Sequence, residues 1–412
     1  SGISGMKAFK SSLDVIGNNI ANVNTTGYKS CKALFSDTLS QTLTAGSAAT
    51  DSRGGTNPVQ VGTGVTFSSV SQNLKDGSLT STGNTSDCAI EGNGYFAVSN
   101  GLKTLYTRDG AFSQDSNYNL VTSSGGMQVL GWTADADGKI DTSKPVTDDS
   151  TIKIPVGTLS LADATDKVDV GGNLDAAAAT GDTYNLKFDV YDTLGVTHTL
   201  NVTFTKQDSV AGTSSWTYDF DASPSTVVTP SPNVLEFDAN GYATSETSLV
   251  SVPITLSPAT GANEVLTFDL DMSSITNLNG DYSISMTSQD GLAMGTLESY
   301  SIDSSGVVVG SFSNGASKNL GQIALVSFNN AAGLSKIGSN LLSESSSSGI
   351  AHFGTAQSGS LGKISSGYIE ASNVDLATEF ANMITAQRGF QANSRLITTA
   401  DEVLQELTNL KR

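Results

Sequence analysis

The feature that most constrains this 412-residue chain is a regular apolar spacing at each of its ends. Near the start, bulky apolar residues recur at alternating intervals of three and four, namely Met6, Phe9, Leu13, Ile16, Ile20 and Val23. This spacing places them in one stripe along an α-helix, as in a coiled-coil seam. Asn24–Gly27 follows the stripe and predicts the helix end, because glycine readily takes the left-handed conformation that closes a helix.

The far end of the chain has the same pattern. Apolar residues recur there every seven positions, at Met383, Phe390, Ile397 and Leu404. A second seam position follows three residues later, at Ala386, Asn393, Ala400 and Leu407. We therefore expect a second amphipathic helix, capped by Ser372 or Asn373, with Asp375 and Glu379 favourably placed near its positive end.

Between the two helices the sequence predicts β structure. Short aromatic or β-branched segments, such as 95–98 and 127–132, are separated by Gly, Asn and Asp turns. A further β-rich block with clear alternation begins near residue 148, and short strands resume after Gly291. Residues 34–75 and 343–366 are rich in Ser, Thr and Gly, so we expect loops or extended arms there.

The predicted fold is therefore mostly β with α-helical termini. The terminal helices pair as a coiled-coil-like inner domain, and the second of two β-rich outer domains is inserted in the first. The expected boundaries are 1–33 and 367–412 for the helical domain, 34–75 for an extended linker arm, 76–147 and 288–366 for the first β domain, and 148–287 for the inserted one.

Charge excludes one class of partner. The formal net charge is −19 and only 15% of residues are charged. Such a chain lacks the clustered cations that nucleic acids require, and its surface is polar but weakly ionic. Its two cysteines do not support a disulfide framework or a zinc site. No apolar run is long enough to span a bilayer, and no cleavable secretion signal is recognisable.

Catalytic, cofactor and metal sites are not predicted. Three Asp-rich segments begin at Asp135, Asp238 and Asp303 and carry a glycine three residues later, which suits hairpin turns better than calcium loops. His198 lies in an alternating strand, where we expect it to face solvent. No nucleophile motif accompanies either histidine.

The terminal seams allow two interpretations. The two helices could pair within one monomer as a stalk, but one seam per helix gives marginal stability without further partners. Asn18 and Asn22 lie off the aliphatic stripe, where their amides could bond to neighbouring chains, and this favours a polymer. The predicted assembly residues are Leu13, Ile16, Asn18, Ile20, Asn22, Val23, Met383, Phe390, Ile397, Leu404 and Leu407.

Several motifs together resemble those of the bacterial flagellar rod and hook proteins. They are the Asn-Asn-Ile-Ala-Asn-Val-Asn-Thr-Thr-Gly-Tyr-Lys segment ending at Lys29, and the segments 89–96, 106–112, 373–394 and 399–403. Within this family the large inserted block, with its segment 191–200, resembles hook rather than distal rod members. The resemblance is strongest in about the first 35 residues, the last 45 and residues 85–135.

This resemblance implies a structural role. We expect an extracellular homopolymer, a curved and flexible tube that transmits motor torque from rod to filament as a universal joint. The implied partners are the rod, the hook cap, the hook–filament junction proteins and the flagellar export apparatus, which would export the chain without a cleaved signal peptide. A distal rod protein with an insertion, an acidic β-rich secreted adhesin and, more distantly, a hydrolase are the alternatives.

Overall fold

The fold is mostly β, with one long helix at each end of the chain, as the sequence predicts. The computed structural model describes residues 2–48, 54–208, 213–223, 225–244, 248–257, 262 and 265–409. Helix α1 spans Gly2–Ala21 and helix α2 spans Leu376–Asn409. A single 3₁₀ turn is described at Ala331–Gly333.

The strands are numbered in chain order. The first twelve are β1 (Cys31–Asp37), β2 (Ser40–Thr44), β3 (Val59–Gly62), β4 (Val65–Gln72), β5 (Leu79–Ser81), β6 (Cys88–Glu91), β7 (Tyr95–Ser99), β8 (Thr104–Thr107), β9 (Phe112–Gln114), β10 (Leu120–Thr122), β11 (Gln128–Val129) and β12 (Gly131–Thr133). The next ten are β13 (Ser160–Asp163), β14 (Lys167–Asn173), β15 (Thr183–Tyr191), β16 (Thr197–Lys206), β17 (Ser214–Asp221), β18 (Thr226–Val227), β19 (Val234–Phe237), β20 (Leu249–Thr255), β21 (Val265–Thr276) and β22 (Ser285–Gln289). The last nine are β23 (Leu292–Ile302), β24 (Val307–Phe312), β25 (Ser317–Ile323), β26 (Leu325–Ser327), β27 (Ser335–Gly338), β28 (Leu341–Ser343), β29 (His352–Gly354), β30 (Lys363–Ser366) and β31 (Tyr368–Glu370).

The chain forms two compact units. Unit 1 contains Ser1–Ile154, Tyr300–Val309 and Asn319–Arg412, and unit 2 contains Pro155–Ser299 and Gly310–Lys318. Each unit is built from segments that are distant in the sequence, because the chain leaves unit 1 to form unit 2 and later returns to it.

Unit 1 contains both helices and a largely antiparallel sheet. The sheet runs in the order β27-β28-β8-β7-β11-β10-β9, and β26 pairs with β7 and β29. Side chains of β7, β8, β26 and β28 form one buried cluster that includes Tyr95, Tyr106 and Val326. Two short antiparallel pairs, β30 with β6 and β31 with β5, join the chain segment before α2 to the segment before this sheet.

Unit 2 is a sandwich of two sheets around one core. One sheet has the order β15-β16-β17-β19 and the other β18-β20-β21-β14-β22. Alternating residues of both sheets, among them Phe204, Trp216 and Phe268, meet in a single hydrophobic cluster. The alternation in β15 and β16 follows from the two-residue period of a strand, which points every second side chain into the core.

The arm predicted over 34–75 contains strands that the sequence analysis did not predict. β1 pairs antiparallel with β4, and β2 pairs with β3, to give a two-stranded ribbon. Most of its side chains are exposed, and Leu39 is 88% exposed. Because a ribbon has no buried face, its sequence need not alternate between apolar and polar residues, and the periodicity that signals a strand is weak.

The three Asp-rich segments are hairpin turns, as predicted. In each, one carboxylate oxygen accepts two backbone N–H bonds, for example from Asp137 at 3.1 Å and Lys139 at 2.8 Å to Asp135. Asp238 and Asp303 accept the equivalent pairs of bonds. The glycine three residues on has a positive φ of 77° to 81°, which a side chain disfavours.

The prediction for His198 was wrong. Its side chain is only 10% exposed, and Nε2 lies 3.2 Å from Oδ2 of the buried Asp192. His198 shares the parity of the buried Leu200, Val202 and Phe204 in β16, so it lies on the core face of the strand. The alternation in the sequence already contained this information.

Candidate assembly interface

The two terminal helices pack against each other in antiparallel directions. Gly2 lies beside Ile397, Gly5 beside Asn393, and Gly389 beneath the ring of Phe9. A Cβ atom built on Gly389 would lie 2.6 Å from the Phe9 ring, and one on Gly5 would lie 2.9 Å from Asn393 Oδ1. Residue numbers at the contact therefore rise along α1 while they fall along α2, as in an antiparallel pair.

Small residues make this close approach possible. Gly5 and Ala8 are buried on α1, and Ala386 is buried on α2. The apolar periodicity in the sequence indicates Ala386 as a seam residue, but it does not indicate Gly5, Ala8 or Gly389. Among small residues, the sequence alone does not reveal which ones lie beneath an aromatic ring of the other helix.

The predicted assembly residues fall into three groups. Ile16 is buried in the helix pair. Half-buried residues are Leu13, Ile20, Asn22, Val23, Met383, Phe390 and Ile397. The exposed residues are Asn18, Leu404 and Leu407.

The last part of α2 extends past α1. Since Gly2 lies opposite Ile397, residues 398–409 continue beyond the described start of α1 for about 18 Å at 1.5 Å per residue. Leu404 and Leu407 in this segment are 61% and 57% exposed.

Asn18 and Asn22 bond to each other within the chain. The amide nitrogen of Asn22 donates to the backbone oxygen of Asn18 at 2.8 Å and to its side-chain oxygen at 2.9 Å. The Thr25 hydroxyl then donates to the Asn22 side-chain oxygen. These bonds close the end of α1, and the predicted bonds to neighbouring chains stay a prediction.

Asn19, which the sequence analysis did not single out, is the fully buried asparagine of this segment. Its amide nitrogen donates to the backbone oxygen of Cys31 at 2.7 Å, and its amide oxygen accepts from the Cys31 N–H at 2.9 Å. The Tyr28 hydroxyl donates to the same oxygen at 3.2 Å. Asn19 thus acts like a strand neighbour to Cys31 and fixes α1 to the base of the ribbon.

A buried ion cluster lies next to this contact. Lys29 Nζ is 2.6 Å from Glu370 Oε1, and Arg108 Nε is 3.3 Å from Glu370 Oε2. Asp76, which is partly exposed, pairs with both cations. Burial lowers the pKa of Lys29, and its hydrogen bond to Glu370 opposes that shift. The four side chains come from four distant segments, so the cluster joins both chain ends to the sheet of unit 1.

The turn after α1 lies against the same ion cluster. The helix ends at Ala21, and Gly27 takes its positive φ of 65° six residues later rather than at the helix cap that we predicted. Its N–H donates to the Glu370 backbone oxygen, and the Thr26 hydroxyl donates to Asp109. Gly27 packs so closely on the backbone between Arg108 and Asp109 that a Cβ atom would lie 2.8 Å away. We use the name clamp for Asn19, Gly27, Lys29, Arg108 and Glu370.

The cap of α2 differs from the prediction. Asp375 caps the helix, since Oδ1 accepts from the Ala377 N–H at 2.9 Å and Oδ2 from the Thr378 hydroxyl at 2.9 Å. These bonds hold the pKa of Asp375 below its ordinary value. Asn373 instead bonds to the ribbon, accepting from the Ser30 N–H and donating to the backbone of Asn73 and Lys75.

The contacts of this site attach segments of the chain to one another. The clamp's charged groups are occupied by one another and by backbone atoms, as Arg108 donates to the carbonyl oxygens of Gly92 and Gly94. In the described part of the chain, His, Cys, Asp and Glu side chains do not gather into a group that could ligate a metal. Neither described helix has an apolar stretch long enough to cross a membrane.

Two terminal helices that pair with each other and are fixed to a β unit define a class of mostly β protein with a helical terminal domain. Comparison with known families agrees with this class. Residues 1–29 match "Flagella basal body rod protein", 89–171 "Flagellar hook protein FlgE/F/G D1 domain", 159–292 "Flagellar basal body protein FlaE D2 domain", and 365–410 "Flagellar basal body rod FlgEFG protein C-terminal".

Comparison with individual proteins identifies the family within this class. The chain is 38% identical to the flagellar hook protein FlgE of Borreliella burgdorferi over 100% of this chain and 98% of that one. It is 32% identical to the flagellar basal-body rod protein FlgG of Bacillus subtilis over 100% and 98%. A crystal structure of Helicobacter pylori flagellar hook protein FlgE2 has a similar fold, with a TM-score of 0.50 at 16% identity, covering 71% of this chain and 100% of that one. The chain belongs to the flagellar hook protein family.

Proposed function

We propose that this chain is the structural subunit of the bacterial flagellar hook, a homopolymer that passes torque from rod to filament as a curved and flexible tube. Full-length similarity to named hook proteins carries the proposal. The protein is structural and is not an enzyme, in agreement with its family. It is a component of the flagellum.

Assembly proceeds through the chain ends. The seam residues Leu13, Ile16, Ile20, Val23, Met383, Phe390, Ile397, Leu404 and Leu407, with the flanking Asn18 and Asn22, form the contacts between copies. The exposure of Leu404 and Leu407 supports this assignment, because leucines at seam positions gain free energy when a neighbour buries them. The helical pair lines the inside of the tube, and the ribbon links it to the outer domains.

Ordering of the ends is coupled to assembly. A helix pair with one covered seam each is marginal alone and becomes stable when neighbouring copies bury the remaining apolar surface. We expect both termini to be largely disordered in dilute monomer. Full helicity of α1 and α2 in dilute monomer, measured by circular dichroism, would contradict this coupling.

Flexibility follows from the low surface charge. With 15% charged residues, the outer domains, proposed as 76–147 with 288–366 and as 148–287, meet through hydroxyl and amide groups. Such groups exchange partners with water at little cost, so neighbouring copies can slide as the tube bends. Dry and strongly apolar contacts between these domains would contradict this mechanism.

Partners follow from the same role. The rod lies below the hook, the hook cap covers it during growth, and the junction proteins join it to the filament. The export apparatus delivers the chain unfolded to the extracellular tip, without a cleaved signal peptide, since folded β domains do not fit a narrow channel.

Electron microscopy of the purified chain under polymerising conditions tests the proposal. We expect short curved tubes. The 32% identity to a basal-body rod protein supports a second candidate, a distal rod protein with an insertion. Straight tubes would favour that candidate, and failure to form any tube would contradict both.

A further inference from the structure

A thiol and an amine lie side by side at the base of the ribbon. Lys336 Nζ donates to Cys31 Sγ at 3.4 Å, although the two residues are 305 positions apart in the chain. Cys31 is the first residue of β1, and Lys336 lies in β27 at one edge of the unit 1 sheet. Both belong to unit 1. The clamp uses neither side chain, so this contact is separate from it.

Neighbouring contacts hold the thiol and the amine together. Lys336 Nζ also lies over the ring of Tyr28, 5.1 Å from its centroid. Asn340, in the turn between β27 and β28, donates from its amide nitrogen to the backbone oxygen of Thr26 at 2.9 Å. Together with the contact to Cys31, these interactions join the β27–β28 hairpin to the segment after α1. The two reactive groups therefore stay adjacent when the segment is folded.

The pair is open to small reagents and is not tied up by an acidic group. Among the described residues, no carboxylate lies within ion-pair distance of Lys336. Lys336 is exposed and Cys31 is half-buried, so a small oxidant in water can reach the sulfur. Cys88, by contrast, is fully buried. Of the two cysteines, Cys31 is therefore the one placed for chemistry with an amine.

We infer that Cys31 and Lys336 form a covalent sulfur–nitrogen bond when the folded chain meets hydrogen peroxide. Peroxide oxidises the thiolate to a sulfenic acid and is itself reduced to water. The neutral amine of Lys336 then attacks this sulfur. The S–N bond forms, the S–O bond breaks, and the leaving hydroxide takes a proton from the nitrogen to become water. Overall, the thiol, the amine and one peroxide give a sulfenamide and two waters.

This bond makes the base of the ribbon a reversible modification site. It fixes the first residue of β1 to the edge of the unit 1 sheet, beside the place where α1 is attached. A thiol reductant attacks the sulfur, breaks the S–N bond and restores both side chains. The inference goes beyond the proposed function, which assigns no covalent bond to the chain.

Mass spectrometry of the peroxide-treated full chain tests the bond, both in dilute monomer and under polymerising conditions. Remaining thiols are alkylated, and the chain is digested with trypsin without reductant. We expect a linked pair of peptides, one with Cys31 and one with an uncleaved Lys336, which is lighter than their sum by two hydrogens and separates in dithiothreitol. Because the fold holds the two groups together, the yield should exceed that in denaturant about tenfold or more.

Lys32 supplies a matched control. It adjoins Cys31 in the sequence, but successive side chains of a strand point to opposite faces, so Lys32→Arg should leave the yield unchanged. Lys336→Arg keeps the positive charge and removes the amine, and Cys31→Ser removes the sulfur, so each should abolish the linked pair.

The outcomes separate this inference from the proposed function. Linked peptides in either sample support the bond, even if no tubes form and the proposed function fails. The inference is wrong if wild type gives no linked pair in either sample, if the linked lysine is not Lys336, or if Lys32→Arg loses the pair as fully as Lys336→Arg does. None of these three results affects the proposed function.

Discussion

Replacing Asn19 by alanine tests the clamp most sharply. The change removes three hydrogen bonds, two of them to the backbone of Cys31 and one from the Tyr28 hydroxyl. The structure offers an internal control one residue away. Asn18 is exposed and accepts bonds from Asn22 alone, so Asn18→Ala changes helix propensity equally without opening the clamp.

The expected magnitude follows from the groups left unpaired. A buried backbone N–H or C=O without a partner costs about 1–3 kcal/mol, and the Cys31 groups are partly buried, so the lower half of that range applies. The higher helix propensity of alanine offsets roughly 0.5 kcal/mol of this cost. The net loss is about 2–3 kcal/mol, which corresponds to a factor of about 30 to 150 in an equilibrium constant.

The assay is the critical concentration for polymerisation, measured by sedimentation, together with chemical denaturation of the monomer. If α1 orders on assembly, Asn19→Ala raises the critical concentration by that factor and leaves monomer stability unchanged. If the clamp already forms in the monomer, the same loss appears in its free energy of unfolding. Asn18→Ala should change the free energy of assembly and the free energy of unfolding by less than about 0.5 kcal/mol each. Equal behaviour of the two variants in both assays would refute the role of Asn19.

Three further predictions concern glycine and cysteine. Gly27→Ala forces a side chain into a positive φ and against backbone 2.8 Å away. It should therefore cost about 2–3 kcal/mol of assembly free energy and raise the critical concentration about 30- to 150-fold, and a rise of less than about threefold would argue against the tight turn. Gly389→Ala displaces the ring of Phe9 and should raise the critical concentration about tenfold. Gly17 has open space around it, so Gly17→Ala should lower the critical concentration by favouring the helix. A higher critical concentration for Gly17→Ala than for Gly389→Ala would exclude the helix pairing. Burial raises the pKa of the Cys88 thiol to about 12, so iodoacetamide at pH 8 should label Cys88 only after unfolding. The unfolded thiol ionises from 9.0 while the folded one keeps its proton, so stability falls by about 1.4 kcal/mol per pH unit above pH 9, and Cys88→Ala should melt with a weaker alkaline dependence than wild type.

The sequence predicts the fold class because each element has a local signal. The seven-residue repeat from Met383 predicts α2, and the alternation in 184–190 predicts a strand of the sandwich. The Asp and Gly turns are equally local, since each carboxylate bonds to amides only two and four residues away. Elements of this kind depend on period and on turn chemistry, which the sequence displays directly.

The clamp could not be predicted in the same way. Lys29 and Glu370 are 341 positions apart, so nothing in the local sequence of either one indicates the other. Asn18 and Asn19 are neighbours, yet about 100° of helix rotation exposes one and buries the other. The family resemblance does point to two clamp residues, because Lys29 and Arg108 both lie in the segments that resemble the flagellar family. Gly5, Ala8 and Gly389 of the helix contact were missed because apolar periodicity weights bulky side chains.

The central claim is that the two chain ends form the element through which copies assemble. Electron microscopy of the full chain beside a variant that lacks residues 1–33 and 367–412 tests it most directly, at equal concentration and under the same polymerising conditions. We predict curved tubes from the full chain and only dispersed, folded β units from the shortened one. Tubes of the same form from the shortened chain would contradict the account.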